Sequence, residues 1–170
     1  FDGVNDYVDV LTAALEAAFG YSEHTTMIWA RVANAGVWAD GTERRLLSLY
    51  TNAGNQAYMS KEAAASTMWW RERHNAVDYV GILNPVTDTA WMAAAMVYSN
   101  AADVTRAYRN GAQEGADIAS VQDWVGNTLT NAVIGAATDV PAKPWHGWLA
   151  HCAVWDRALT AGEIATLAGV

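Results

Sequence analysis

The sequence predicts an all-β domain of many short strands, a sandwich or barrel, with one or two short helices. Three observations carry this. Short runs rich in Val, Ile, Tyr, Trp, Thr and Met recur along the chain, turn residues punctuate them, and side chains alternate in character within them. Alternation is clearest over 25–32, where Thr26, Ile28, Ala30 and Val32 share one face while Met27, Trp29 and Arg31 share the other. A sandwich needs this period of two, because each sheet buries one face and shows the other.

The turn signals are Asp2-Gly3, Gly20, Asn34 with Gly36, Asp40-Gly41, Asn52 with Gly54, Asn84-Pro85, Asn110-Gly111, Gly126-Asn127 and Pro141 with Pro144. Between them strands are expected near 4–10, 25–32, 45–51, 56–62, 66–73, 77–82, 91–98, 104–109, 131–136 and 147–156. Ala93, Ala94 and Ala95 favour helix in isolation, but a strand-length segment bounded by turns makes them small residues of a central strand covered on both faces. Two helices are expected. One spans 11–19, amphipathic and stopped by Gly20; the other spans 161–168, opened by a capping box of Thr160 and Glu163. The expected organisation is one domain over 1–170, with no repeat or low-complexity linker. The chain opens on Phe1 without an initiator Met, so trimming is expected and targeting signals can be missing from view.

Charge narrows the partners. The net charge is −8, from 18 acidic and 10 basic side chains. Nucleic-acid binding needs clustered Lys and Arg, and the nearest approach, Arg71, Arg73 and His74 beside Trp69 and Trp70, is interrupted by Glu72. No apolar run has the roughly 18 residues that a spanning helix requires, so membrane insertion is not expected. Cys152, the single cysteine, lies in an apolar run and reads as a buried inert thiol.

Three segments, in order, resemble a known family. Phe1-Asp2-Gly3-Val4-Asn5-Asp6-Tyr7-Val8 is similar to an opening strand of the form F-D-G-x-x-D-Y-V. The strand from Trp91 to Tyr98, followed by Val104-Thr105-Arg106-Ala107-Tyr108-Arg109-Asn110-Gly111, resembles a central W-x-x-V-A strand and its L-Y-V-D-G hairpin. Ile134-Gly135, then Gly147 to Trp155, then Arg157-Ala158-Leu159-Thr160-Ala161-Gly162-Glu163-Ile164, resembles a closing I-G, a long last strand and an R-A-L-S-x-x-E-I helix. Together they resemble the laminin-G-like branch of the concanavalin A-like lectin/glucanase superfamily. The resemblance implies a jelly roll whose first and last strands meet.

Departures from the family pattern bear on function. Its glycosidases carry an E-x-D-x-x-E cluster on one strand, and retaining chemistry needs two suitably spaced carboxyl groups. No such cluster occurs here, and Glu114 and Asp117 read as loop residues. His24 and His74 read as isolated, and His146 and His151 lack zinc spacing, so no catalysis is expected. Where many members have an acidic pair in the last strand, Ala150 and His151 stand. No cofactor is indicated. A calcium ion comes into question only at Asp2, Asn5 and Asp6, which read more simply as turn residues.

Nine tryptophans supply the candidate surface. Trp29, Trp91, Trp148 and Trp155 fall where the family packs aromatic residues and are expected mostly in the core. Trp69 and Trp70 are strand neighbours and must point oppositely. Trp38 and Trp145, the latter beside His146, lie in loops where they can stack on sugars or bury in a subunit contact. The candidate binding or interface residues are therefore Trp38, Trp69, Trp70, Trp145 and His146. Two functions fit: a non-catalytic structural or decoration protein on a particle surface, such as a phage capsid or tail component, or a secreted or cell-surface carbohydrate-binding module. The first is the leading expectation, with protein neighbours as partners, homo-oligomers among them, and a virion surface or extracellular location. The second makes a glycan the partner.

Overall fold

The computed structural model describes residues 1–63, 66–83, 86–87, 89–119, 124, 128–137 and 142–169. Eleven strands and two α-helices follow one another as β1 (Val8–Asp9), α1 (Ala13–Ala18), β2 (Glu23–Val32), β3 (Arg44–Asn52), β4 (Asn55–Lys61), β5 (Met68–His74), β6 (Val77–Leu83), β7 (Met92–Ser99), β8 (Val104–Arg109), β9 (Ala112–Ala119), β10 (Asn131–Ile134), β11 (Gly147–Trp155) and α2 (Ala161–Ala168). A 3-10 helix, Ala35–Ala39, joins β2 to β3. The expected turns at Asn84-Pro85 and Gly126-Asn127, and Pro141, lie outside the described residues. No helix among the described residues is long and apolar enough to cross a membrane.

Two antiparallel sheets form the sandwich. One has six strands in the order β1-β10-β3-β4-β5-β6, and the other five in the order β11-β2-β7-β8-β9. The chain start meets the last long strand, with Asp2 bridging His146 and the Gly147 N–H donating to the Phe1 carbonyl at 3.0 Å. Between the sheets lie Ile28, Ala30, Met92, Ala94 and Met96 from one side and Leu47, Leu49, Met59, Met68 and Trp70 from the other, all buried. Ala94 is completely buried, as a central strand covered on both faces requires. The outer face of the five-stranded sheet is half covered. The α2 residue Ile164, with Leu159 before it, packs on Met27, Ala95, Val97 and Tyr108, and the capping box of Thr160 and Glu163 fixes the start of that helix.

The strand β9 was not foreseen. Glu114 and Asp117, expected in a loop, stand on it and pair with Arg109 and Arg106 of β8. Its sequence, AQEGADIA, lacks β-branched residues except Ile118, so cross-strand ion pairs rather than propensity define it. The first helix is shorter than expected. Thr12 caps it by accepting from the Leu15 N–H, and it closes at Phe19.

Candidate functional site

Strand geometry sorts the predicted residues. Trp70 points between the sheets and is fully buried, while Trp69, its neighbour on β5, points outward and is half-buried. Trp38 and Trp145, expected at the surface, are core residues instead. Trp38 rides on the 3-10 helix, whose start Asn34 caps through the Gly36 N–H at 2.9 Å. Beyond its end, Asp40 accepts from Arg44 and from Lys61 at 2.7 Å each, which ties the segment down over the core. Trp145 is held by its own N–H, which donates to the Gly135 carbonyl at 2.7 Å. The two rings meet edge to face, 6.4 Å apart, and plug one end of the sandwich. His146 is half-buried at the seam between the chain start and β11, packed against Gly3.

The strand tryptophans show the reverse. Trp148 is 50% exposed and Trp91 is 45% exposed, and Trp29 and Trp155 are half-buried against the outer side of the five-stranded sheet. They occupy outward positions, which alternation assigns without regard to how apolar the side chain is.

A chemically organised face lies on the six-stranded sheet across β4, β5 and β6, open along β5 and β6 while Tyr58 and Ser60 of β4 are buried beneath their neighbours. Three cross-strand rows run over it: Gln56, Arg73 and Asp78; Tyr58, Arg71 and Val80; Ser60, Trp69 and Ile82. The last row is an apolar strip, with Ile82 55% exposed beside Trp69. The other two are polar and pre-organised. Asp78 grips Arg71 through both oxygens and also pairs with Arg73 at 3.4 Å. Arg71 donates to the Tyr58 hydroxyl at 2.6 Å, and Arg45 lies over the Tyr58 ring, 3.2 Å from its centroid. Burial opposes the charge of Arg71, but Asp78 and Tyr58 outweigh it and hold the guanidinium above its ordinary range. At the rim, Ser60 donates to Glu62 at 2.6 Å. An aromatic ring beside fixed donors and acceptors suits a ring-shaped ligand with hydroxyl groups, such as a sugar.

The same alternation dissolves the basic cluster Arg71, Arg73 and His74. Only the arginines face outward, and Glu72 and His74 point into the core. There Glu72 links His74 to His24, so these histidines are not isolated. Glu72 joins them, with Oε1 2.8 Å from His24 Nε2 and Oε2 3.0 Å from His74 Nε2. Burial pushes the Glu72 carboxyl up, but the charges and hydrogen bonds of the two imidazoles outweigh it and hold the group below the usual carboxylate range. All three side chains are sealed from solvent.

Among the described residues, no carboxylates on the β4–β6 face are arranged for glycoside cleavage. Asp78 is committed to two arginines, and nearby Glu43 is paired with Arg45 and Lys143. Burial raises the Glu43 carboxyl, but those cations prevail and hold it low, the opposite of what a general acid needs. At the positions of the expected acidic pair in the last strand, Ala150 and His151 bring no carboxylate, and the His151 ring packs edge-on against Trp29 at 5.6 Å. Asp2 and Asp6 spend carboxylate oxygens on the N–H groups of Val4 and Asp2. Burial pushes the Cys152 thiol up to about 12, consistent with an inert residue.

Two antiparallel sheets packed face to face, with the chain start meeting the last long strand, define a jelly-roll β-sandwich. Residues 2–165 match the family model of the concanavalin A-like lectin/glucanase superfamily, and the chain belongs to that family. No curated protein matches it in sequence. Among solved structures, it is similar to the CBM40 domain of the Ruminococcus gnavus IT-sialidase bound to α2,3-sialyllactose. That match has a TM-score of 0.77 and 13% identity, over 99% of this chain and 97% of the other. It is also similar to a heptameric SAP-like pentraxin from Limulus polyphemus, with a TM-score of 0.71 and 18% identity over 99% and 79% of the two chains. Domain 4 of AbnA, an extracellular GH43 arabinanase of Geobacillus stearothermophilus solved with arabinotriose, aligns with a TM-score of 0.71 and 13% identity over 88% and 68%. At these identities the likeness is one of fold.

Proposed function

We propose that the protein is a non-catalytic carbohydrate-binding module that acts outside the cell and holds its glycan on the outer face of β4, β5 and β6. One juxtaposition carries the reading: Trp69 and Ile82 form an apolar strip in the row next to Arg71, whose guanidinium is already fixed in place by Asp78 and the buried Tyr58 hydroxyl. A pyranose presents an apolar C–H face and a rim of hydroxyls, and this surface meets both. Pre-organisation matters because side chains held by one another lose little entropy on binding. Solved relatives with sialyllactose and arabinotriose support a sugar ligand by analogy of fold, which is weaker than the local chemistry. The particle-assembly role gains nothing from these comparisons, and burial of Trp38 and Trp145 withdraws the two loop rings on which an interface had partly rested.

Glycan-array screening followed by calorimetry on the hits tests the proposal. Binding to a defined oligosaccharide that Trp69→Ala and Arg71→Ala each weaken about tenfold or more supports it. A blank array combined with a stable oligomer in light scattering refutes it.

A further inference from the structure

Among the described residues, ion pairing of the Lys and Arg side chains is nearly complete, and the exception has a location. Of the 10 Lys and Arg residues, nine hold a carboxylate: Arg44 and Lys61 with Asp40, Arg45 and Lys143 with Glu43, Arg71 and Arg73 with Asp78, Arg106 with Asp117, Arg109 with Glu114 and Arg157 with Glu163. Among the described residues, Arg31 alone has no ion-pair partner, although the chain carries 18 acidic side chains. It is exposed on the outer face of the five-stranded sheet, and its guanidinium lies over the Trp148 ring, 4.9 Å from the centroid.

The surroundings of Arg31 are built from the same face. Trp148 is its cross-strand partner on β11. Two residues along β2 stands Trp29, whose neighbours on either side are Ala150 and Ala93. Such small side chains leave room beside the half-buried Trp29 ring on this face. The α2 cover on this face lies over Met27, Ala95 and Val97, and Trp148 remains open. At the edge, the β11–β2 register shifts between Ala150 and Ala153, and His151 sits in that bulge with φ of 48°. A left-handed conformation is costly for a residue with a Cβ, and bulges re-aim side chains beside functional sites. Here the bulge sets the imidazole against Trp29.

We infer that Trp148, Arg31, Trp29 and His151 form a second binding site, on the opposite side of the sandwich, for a sugar ring bearing a carboxylate. The tryptophans supply the stacking surface. Arg31, with its planar fork of donors and no ion-pair partner among the described residues, takes the carboxylate as a bidentate partner. His151 stands at the rim as a further hydrogen-bonding group. A neutral sugar would leave Arg31 unpaired, so the site discriminates by charge, which the β4–β6 face, with its arginines already neutralised, does not.

The test uses matched pairs of ligands: tetragalacturonate against its methyl ester, and 3′-sialyllactose against lactose. Binding is read by titration calorimetry and by the indole N–H signals of the tryptophans. At least one acidic member of a pair should bind about tenfold or more tightly than its neutral counterpart, the order expected of a charge-assisted hydrogen-bonded pair. It should shift the Trp148 and Trp29 indoles and weaken as salt rises. Arg31→Gln should erase the preference and Trp148→Ala should remove binding, with both variants keeping the wild-type melting temperature, while Trp69→Ala leaves this binding intact. Equal binding of acidic and neutral sugars, no binding of either acid, or shifts confined to Trp69 would each overturn the assignment. The last outcome would leave the β4–β6 site standing.

Discussion

His24 Nε2 lies 2.8 Å from Glu72 Oε1, a contact across the core between β2 of one sheet and β5 of the other, with neither side chain exposed. His24 Nδ1 donates to the Gly20 carbonyl at 2.8 Å, which fixes the ring, and His74 takes the second carboxylate oxygen. Phe19, Tyr98 and Trp124 surround the His24 ring at centroid distances of 4.6–6.0 Å. A polar cluster in such a place is satisfied only as a unit.

Glu72→Gln should therefore be severe. It removes the carboxylate and leaves two buried imidazoles facing a neutral amide, a loss on the order of 3–5 kcal/mol for breaking a buried charged cluster. Urea unfolding at neutral pH measures it. Replacing all three residues with apolar ones, His24→Leu, Glu72→Met and His74→Leu, should recover much of that loss, because no charge is then left unpaired. A Glu72→Gln variant as stable as wild type would mean that the cluster contributes nothing to stability.

Acid should expose the same group. The folded-state carboxyl of Glu72 is held below its ordinary value, so its stabilisation is complete above the unfolded pKa and is lost as pH falls through the folded one. The urea midpoint should decline from about pH 4.5 downward. In Glu72→Gln the decline should be shallower, leaving the share due to exposed pairs such as Arg157–Glu163.

Trp145→Ala and Trp38→Ala should destabilise the fold by about 3–5 kcal/mol each, the cost of emptying a large buried site. Neither should alter sugar affinity in protein that remains folded. A loss of affinity at unchanged stability would return these rings to the binding surface.

Chelation should leave the melting curve unchanged. Ala150 supplies no side-chain ligand, His151 packs against Trp29, and the carboxylates of Asp2 and Asp6 already accept backbone N–H groups. A fall of several degrees with chelator, restored by calcium, would reveal a tightly linked ion.

Much of the fold was legible because period-two patterning and turn residues are local signals. The strands through Met27, Tyr58, Trp70 and Met96 fall within one or two residues of their expected places, and so does the α2 capping box. The direction of burial was harder to read. Over 25–32 both faces are apolar, so alternation separates Ile28 from Trp29 without saying which one turns inward. The loop tryptophans misled for a related reason: a sandwich must be plugged at its open ends, and only tertiary contacts identify the loop that does so. Strand β9 and the linking of His24 to His74 through Glu72 depend on partners about 8 and 50 residues away, beyond any short-range pattern.

The neighbouring residues Trp69 and Trp70 separate stability from binding. Trp70 is fully buried, its backbone opposite Met59 and Gly81, and at Gly81 an added Cβ would come within 3.8 Å of the Trp70 Cβ. Trp70→Ala should therefore cost on the order of 3–5 kcal/mol. Trp69 faces outward between Ser60 and Ile82, so Trp69→Ala should cost about 1 kcal/mol or less. Its effect should appear in ligand affinity, where losing a stacking ring weakens sugar binding about tenfold or more, on the order of the 0.5–1.5 kcal/mol that aromatic pairs add together with lost apolar contact. Chemical denaturation and calorimetry on the two variants give both numbers. If Trp69→Ala destabilises the fold as much as Trp70→Ala does and leaves affinity untouched, the β4–β6 face is structural, and the sugar must be sought at Trp148 and Arg31.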